Sequence, residues 1–333
     1  TAYKNAITKG STIAEAHKIA RTTSDQGRFE PGTEAYEKKK NELTKINNWD
    51  IGAALRVKSS LVHAEGLFNW DKAFVKFFEK INTKLLSGFD YRTYIIVPDG
   101  NYFINPKSNS NNLTYQKTGG FAQITKDLFV KKLSLGAALR IDKADYFEAK
   151  FTPQFTVVYS PKETLNFRTS YQNGYRFPSI FEGFSNVNSG GVKRVGGLRI
   201  MSDGIFENSY TKASIDKFQA QVNNDVNTLG ITQVAAIEKN KNTIQKNPYT
   251  YLEPEFVKSL EVGFRGMALN KNLFIDADFY YNSYKNFIAQ VEASIPNTND
   301  PNLIPTALYS KSTQNRYRLW TNSKSKIYNY GGS

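Results

Sequence analysis

The sequence predicts an all-β protein: part of an antiparallel, up-and-down transmembrane β-barrel carrying long, partly helical loops. Three observations lead there. Stretches of strict polar/apolar alternation recur along the chain, about ten residues each, which is the length a tilted strand needs to cross a bilayer. The connections between them alternate short and long, which puts turns at one end of a sheet and loops at the other. No apolar run of about 18 residues or more occurs, so a helical membrane span is excluded.

The strands follow in order. Leu61 to Trp70, Leu85 to Ile96 and Tyr115 to Lys126 alternate with interruptions. Leu133 to Asp142 alternates cleanly, with Leu133, Leu135, Ala137, Leu139 and Ile141 on one face and Ser134, Gly136, Ala138, Arg140 and Asp142 on the other. Phe151 to Tyr159 is a weaker member. In Leu165 to Tyr175, Leu165, Phe167 and Tyr171 oppose Asn166, Arg168, Ser170 and Gln172. Ser259 to Arg265 sets Leu260, Val262 and Phe264 against Ser259, Glu261 and Arg265, and Leu273 to Tyr281 sets Leu273, Ile275, Ala277 and Phe279 against Asp276 and Asp278. A last pair is expected to begin near Arg316 and near Tyr328. Lipid tolerates the apolar face and not the charged one, so Leu133, Leu135, Leu139, Phe167, Leu260, Val262 and Phe264 should face outward. Arg140, Arg168, Glu261, Asp276 and Asp278 should face inward.

Short connections are expected after Trp70, Thr125, Tyr159 and Gly266 and near Lys324. Ser160 to Glu163 (SPKE) and Ala268 to Asn272 (ALNKN) read as polar turns. The long connections are Thr1 to Ser59, Val97 to Leu113, Arg176 to Glu255 and roughly Ala289 to Gln314, with a modest one from Lys143 to Lys150. Two of these should hold helices. After a Ser11 cap, Ile13, Ala16, Ile19 and Ala20 recur at helical spacing, and so do Ile215, Phe218 and Val222. Loops this long are usually functional or disordered, and helical patterning argues for folded ones.

Composition narrows the function. The 333 residues carry a net charge of +14 and no Cys, so disulfides, thiolate metal sites and a Cys nucleophile are absent. Mean hydropathy is -0.51, a value that alternating strands average down to. The basic residues are scattered among Asp and Glu rather than gathered in a stripe, so an anionic surface or ligand is a better reading than nucleic acid. The opening residues TAYKNAITKG show no charged leader before an apolar core; a mature chain begins here, or an N-terminal part precedes it.

Candidate chemistry is sparse. His17 and His63 are too few and too far apart for a His-rich metal site. His63 and Glu65 share a face but have no accompanying nucleophile, and Asp276 with Asp278 lacks a third metal ligand. The pairs Asp90/Arg92, Arg140/Asp142 and Glu261/Arg265 set opposite charges on one face, as cross-strand pairing or a bound solute would use them. The Gly-Gly pairs at 119–120, 190–191 and 196–197 lack the Lys-Ser/Thr and helix of a phosphate loop. Trp70, Tyr94, Tyr159 and Tyr281 near strand ends suit interfacial girdles. Pro178 ends a strand by lacking an N–H, and Arg176 beside it is placed to meet an anionic ligand. The substrate-binding candidates are therefore Arg176, Arg168, Arg140, Asp276 and Asp278. No catalytic, cofactor or metal residue emerges.

One succession of phrases is more specific than its parts. Phe121-Ala-Gln, Leu133-Ser-Leu-Gly-Ala-Ala-Leu-Arg-Ile-Asp, Phe151-Thr-Pro-Gln-Phe-Thr-Val-Val-Tyr and Tyr171-Gln-Asn-Gly-Tyr-Arg-Phe-Pro-Ser follow in order. Leu252-Glu-Pro-Glu-Phe-Val-Lys-Ser-Leu-Glu-Val-Gly and Asp278-Phe-Tyr-Tyr-Asn complete the series. From about Lys58 onward this resembles the barrel of TonB-dependent outer-membrane receptors, especially those of Bacteroidetes-type bacteria. The resemblance implies a plug domain, a TonB box and a closed barrel of about 22 strands. Roughly nine or ten strands are read here, and the chain ends Tyr330-Gly-Gly-Ser333 rather than on an aromatic residue. An open sheet would leave edges that lipid does not tolerate, so a fragment of a longer protein is expected, with plug and C-terminal strands absent. On this reading residues 1–57 are a partly helical extracellular segment, and 58–333 a partial barrel with its main loop at 176–255. The resemblance further implies import of a scarce nutrient (a metal chelate, cofactor, oligosaccharide or peptide) across the outer membrane. Its partners would be a TonB-type inner-membrane protein acting through the plug, the nutrient and outer-membrane lipid, with no enzymatic step and no cofactor. A passive porin-like barrel and a surface adhesive or structural barrel are the alternatives.

Overall fold

A computed structural model describes residues 1–46, 51–54, 57–98, 102–108, 111–269 and 272–333. The chain divides into two compact units, Thr1–Leu55 and Arg56–Ser333.

The first unit is helical: α1 (Ala2–Thr8), α2 (Ile13–Asp25) and α3 (Glu34–Leu43). The cap of α2 is Thr12 rather than Ser11. Its hydroxyl accepts from the Glu15 N–H, while the Glu15 carboxylate accepts from the Thr12 N–H at 2.9 Å, a reciprocal capping box. Ala16 is buried and Tyr3 packs on His17 at 4.7 Å, whereas Ile13 and Ile19 stay exposed.

The second unit begins with β1 (Ser59–Asn69), two helical turns α4 (Trp70–Ala73) and α5 (Val75–Lys80), β2 (Thr83–Ile96), β3 (Leu113–Leu128), β4 (Leu133–Ala144), β5 (Lys150–Lys162) and β6 (Leu165–Arg176). It continues through α6 (Ile180–Phe184), β7 (Asn186–Ser189), β8 (Val192–Val195), α7 (Arg199–Ser202), α8 (Ile205–Asn208), β9 (Tyr210–Thr211), α9 (Lys212–Leu229) and α10 (Gln233–Asn240). Then come β10 (Glu255–Ala268), β11 (Leu273–Lys285), β12 (Ile288–Pro296), α11 (Ile304–Tyr309), β13 (Gln314–Asn322) and β14 (Ile327–Gly332).

Nine strands form one sheet in the order β1-β2-β3-β4-β5-β6-β10-β11-β14, every neighbour antiparallel. The connections 70–82, 129–132, 163–164 and 269–272 therefore lie at one end. Connections 97–112, 145–149, 177–254 and 286–326 lie at the other. The expected alternation of short and long holds, with adjustments. The connection after Trp70 is a pair of helical turns, not a tight turn. β5 runs on through the expected SPKE turn, with a register shift between Tyr159 and Lys162. Asn270 and Lys271 of the ALNKN turn, and parts of the connection after Val97, lie outside the described residues.

Register makes the sheet two-faced, because directly paired residues project to the same side. Val262 pairs with Thr169 and Phe279, Phe264 with Phe167 and Ala277, and Leu139 with Ala122 and Pro153. Leu133, Leu135, Leu260 and Phe167 join this apolar face, as expected. Arg140, Arg168, Glu261, Asp276 and Asp278 all lie on the other. The apolar side chains are not covered: Leu139 is 46% exposed, Phe155 53%, Val262 50% and Phe279 51%. A contiguous apolar surface across nine strands is far more than a water-facing sheet carries.

The strand expected near Arg316 departs from the forecast. β13 joins a separate five-stranded sheet, ordered β7-β8-β13-β12-β9, and only β14 returns to the large sheet, against β11. Residues 286–326 are thus one long connection, and no short turn at the opposite end lies near Lys324. Alternation in Arg316 to Trp320 is genuine, but period two reports a two-faced strand without saying which sheet it enters.

Candidate ligand-binding cap

The four connections at this end of the large sheet contribute to one core. The core that binds them mixes strand ends with loop residues: Ile96, Leu113, Tyr115 and Ala144 from β2, β3 and β4 pack with Phe103, Phe184, Val195, Leu198, Phe206, Ala293 and Leu319. Phe103, Phe184 and Leu319 are essentially inaccessible, and each such side chain contributes roughly 1.5–3 kcal/mol. Tyr94, expected in an interfacial girdle, instead projects to the charged face of β2 and stacks on Tyr115 at 6.1 Å beside this core. Trp70 and Tyr281 do keep to the apolar side, Trp70 donating its indole N–H to Ser87 at 2.9 Å.

A second core holds the helices. Phe218 and Val222 of α9 are fully buried against Ala236 and Ile237 of α10, and Ile215 packs with Tyr210 and Leu308. The Ile215/Phe218/Val222 spacing thus marked the buried stripe of α9. Thr211 caps this helix and Gly230 closes it with φ +66°. In the small sheet, Gly190 and Gly191 have φ of +60° and +75° between Ser189 and Val192, the geometry of a two-residue type I′ hairpin.

The small sheet is also two-faced. Val195, Ala293 and Leu319 turn into the core, so Arg194, Glu292, Arg318 and Trp320 occupy the other face. Arg318 pairs with Glu292, its Nε donating at 3.0 Å. Arg194 lies over the Phe181 ring at 5.8 Å, and Trp320 meets the same ring edge-on at 5.8 Å. Arg194 Nε and Trp320 Nε1 are buried donors that meet no acceptor among the described residues.

Two clefts flank this surface and share Tyr249. One, of about 480 Å³, is lined by Thr211, Lys212, Asp216, Asn247, Val291 and Glu292 among others. The other, of about 280 Å³, is lined by Tyr249, Tyr251, Glu253, Lys285, Lys324 and Lys326 among others. Asn322 sets the shape of the second: its Oδ1 accepts from the Glu253 N–H at 2.7 Å and its Nδ2 donates to the Asn286 carbonyl at 2.6 Å. Nearby, burial and the hydrogen bond to Glu207 push the Tyr251 hydroxyl up to about 12, while that same bond holds the Glu207 carboxyl below its usual range.

The five residues singled out from sequence fall in three places. Arg176 ends β6 at the root of the cap, donating from Nη1 and Nη2 to Glu182 at 3.0 and 3.1 Å and from Nε to Glu255 at 2.5 Å. Glu255 also accepts from the Ile288 N–H at 2.7 Å, so Arg176 holds one large loop through Glu182 and meets the carboxylate that holds the other. Burial pushes the Glu182 carboxyl up, but Arg176 and the Ser179 N–H and hydroxyl outweigh it and hold the group below its usual range. Arg168, Asp276 and Asp278 form one cluster on the charged face, Arg168 Nη1 reaching Asp276 at 3.2 Å and Nη2 reaching Asp278. Arg140 stands apart, shared between Asp142 and Asp90. Gly263 and Gly119 lie beneath Arg168 and Arg140, where any Cβ would strike the guanidinium. Asp90 also meets Arg92 at 3.8 Å, and His63 meets Glu65 at 3.7 Å. Arg265 pairs with Asp276 rather than with Glu261. Among the described residues no group of three or more His, Cys, Asp or Glu is placed to hold a metal.

Sequence reasoning missed Arg194, Phe181, Trp320 and the Tyr249 clefts. The one available signal was alternation in two short stretches, Val192 to Val195 and Arg316 to Trp320, separated by more than a hundred residues.

A family model described as "TonB dependent receptor-like, beta-barrel" matches residues 14–332. Among solved structures, the chain is similar to a variant of the ferric enterobactin receptor PfeA of Pseudomonas aeruginosa, at 13% identity and TM-score 0.50, covering 86% of this chain and 34% of that one. It is also similar to the siderophore receptor PirA of Pseudomonas aeruginosa (12%, TM-score 0.46, 83% and 37%) and to the iron transporter FrpB of Neisseria meningitidis (15%, TM-score 0.44, 83% and 32%). The chain spans about a third of the length of these proteins. At such identities the likeness concerns the fold alone. No curated protein sequence matches it.

Proposed function

Because the chain belongs to the family of TonB dependent receptor-like β-barrels, we propose that it forms part of the wall and folded outer loops of an outer-membrane receptor that imports a scarce nutrient. The observation that carries this reading is the pairing of two features in one unit: a nine-stranded sheet with an uncovered apolar face, and its longest connections folded into a cap at one end. The apolar face meets lipid and the charged face meets the lumen. The cap then lies outside the cell, where Arg194 beside Phe181 and Trp320 offers the ligand a cation among aromatic rings. Arg176 anchors the cap, and Arg140, Arg168, Asp276 and Asp278 line the route below it. A TonB-type inner-membrane protein would supply the energy, acting through a plug within the complete barrel.

The test is to replace Asn208 to Asn247 in the full-length protein with a short Gly/Ser turn. No residue of that segment pairs with the nine-stranded sheet, so the barrel should still assemble in the outer membrane. The deletion removes β9 and α9, which pack on β12 and α11, and energised uptake and ligand affinity should fall sharply. Unchanged uptake would make this part of the cap a passive cover and sink the assignment.

A further inference from the structure

We infer that the apolar face of the sheet ends, on the cap side, in a site for the phosphate groups of a membrane lipid, built from Lys258, Lys285, Lys324 and Lys326. This rests on the proposal that the face meets lipid.

Register places no Asp or Glu on the apolar face among the described residues of the nine strands. Basic residues occur there only toward the strand ends. Lys258 of β10 and Lys285 of β11 lie at the cap end, Lys285 directly opposite Phe256 and Lys258 one step along the same face. The β11–β14 ladder ends at Tyr284 opposite Ile327, and Lys285 and Lys326 are the residues next beyond that pair on either chain segment. Like charges held close together repel unless an anion sits between them. Lys285, Lys324 and Lys326 bound the same cleft of about 280 Å³, whose one acid is Glu253. All four lysines are exposed, and among the described residues none is held by a carboxylate. Their contacts are aromatic: Lys324 lies over Tyr249 at 5.7 Å and Lys258 over Phe256 at 5.9 Å.

Just inside this rim, Tyr281 and Tyr328 stack at 6.2 Å on the apolar face, the position and residue type of a membrane-interface belt. A free anion would use the lysines and leave the apolar surface below them idle. An amphiphile uses both, its acyl chains along Leu260, Val262 and Phe279 and its phosphates among the lysines. That continuity selects a lipid headgroup over a soluble phosphate. Each lysine near a charged membrane surface is worth about 1 kcal/mol, so three together give about a hundredfold.

The experiment places the full-length protein in phosphatidylcholine nanodiscs with a minor fraction of diphosphoryl lipid A and measures retained lipid by native mass spectrometry. The variant combines Lys258→Ala, Lys285→Ala and Lys326→Ala; a second combines Lys→Arg at the same positions. The all-Ala variant should retain the diphosphoryl lipid about a hundredfold less, the all-Arg variant should retain it like the parent, and inorganic phosphate should not displace it. Equal retention by the all-Ala variant would overturn the site. Displacement by inorganic phosphate would make it a soluble-anion site and overturn the lipid assignment. Failure of the unaltered protein to enter nanodiscs at all would take down the membrane reading with it.

Discussion

The sharpest check on the two-faced sheet is an arginine placed on each side of one strand. Val262 lies near the middle of β10, pairs with Thr169 and Phe279, and is half-exposed on the apolar face. Ser259, on the same strand, pairs with Gln172 and Asn282 on the charged face. Val262→Arg puts a guanidinium among Phe279, Leu260 and Phe264. At the bilayer midplane that costs about 2–4 kcal/mol, which is roughly a thirtyfold to several-hundredfold shift in the folding equilibrium. Ser259→Arg meets amide side chains and water and should cost less than about 1 kcal/mol. The assay is urea-dependent folding of the full-length protein into phospholipid vesicles, followed by heat-modifiable gel mobility. A one-residue slip of β10 would exchange the two outcomes, because every side chain changes face. Equal costs for both variants would refute the claim that the apolar face meets lipid.

Two further outcomes concern the cap. Phe218→Ala should leave a cavity under α9 and α10 at a local cost of about 3–5 kcal/mol. Hydrogen exchange in Lys212–Asn240 should rise steeply while the nine-stranded sheet is unchanged, and exchange rising equally in both would refute the separation. At the root of the cap, the Glu182 carboxyl is held below its usual value of 4.5 by Arg176 and Ser179. A carboxyl with a depressed folded-state value stabilises fully above its unfolded one and loses that contribution as pH falls through the folded one. Trp320 fluorescence should therefore report loosening as pH drops below 4.5. Glu182→Gln should remove that acid transition while weakening the cap at neutral pH, and an unaltered acid transition would show that another group controls it.

The large sheet was legible because four of its strands declare their faces by clean alternation, and repetition along the chain carries the weaker ones with them. Leu133 to Asp142 and Leu165 to Tyr175 were read with their correct faces, and antiparallel sequential pairing then follows from connection length. The cap was less legible for a physical reason. Its strands are two to nine residues long and pair across great sequence distance: β8 lies beside β13 in parallel, and β9 touches β12 through two residues. Short alternation in Arg316 to Trp320 is equally compatible with either sheet, and only the shared core of Leu319, Val195 and Ala293 decides between them. Tyr94 was misplaced for a related reason. An aromatic residue at a strand end suits both a lipid interface and a loop core, and its parity along β2, not its type, selects the core.

Candidate residues chosen as charged and inward-facing were bound to find one another. Alternation sets charges two residues apart on one face, and antiparallel register then brings neighbouring strands' charges opposite them, so Arg168 reaches Asp276 and Asp278 while Arg140 reaches Asp90 and Asp142. Pairing of this kind does not disqualify a residue from meeting a solute. These side chains keep about a third of their surface exposed, and solvated ion pairs contribute little net stability. An anion arriving at Arg168 would replace one carboxylate by another at small cost. Arg176 differs in what the exchange would release. Its two carboxylates belong to α6 and β10, and Glu255 also holds the Ile288 N–H of β12. Drawing the Arg176 guanidinium toward a ligand would release Glu182, and with it the 177–254 connection, from the end of β6, while Glu255 would still hold the Ile288 N–H, so its displacement would loosen the cap on one side.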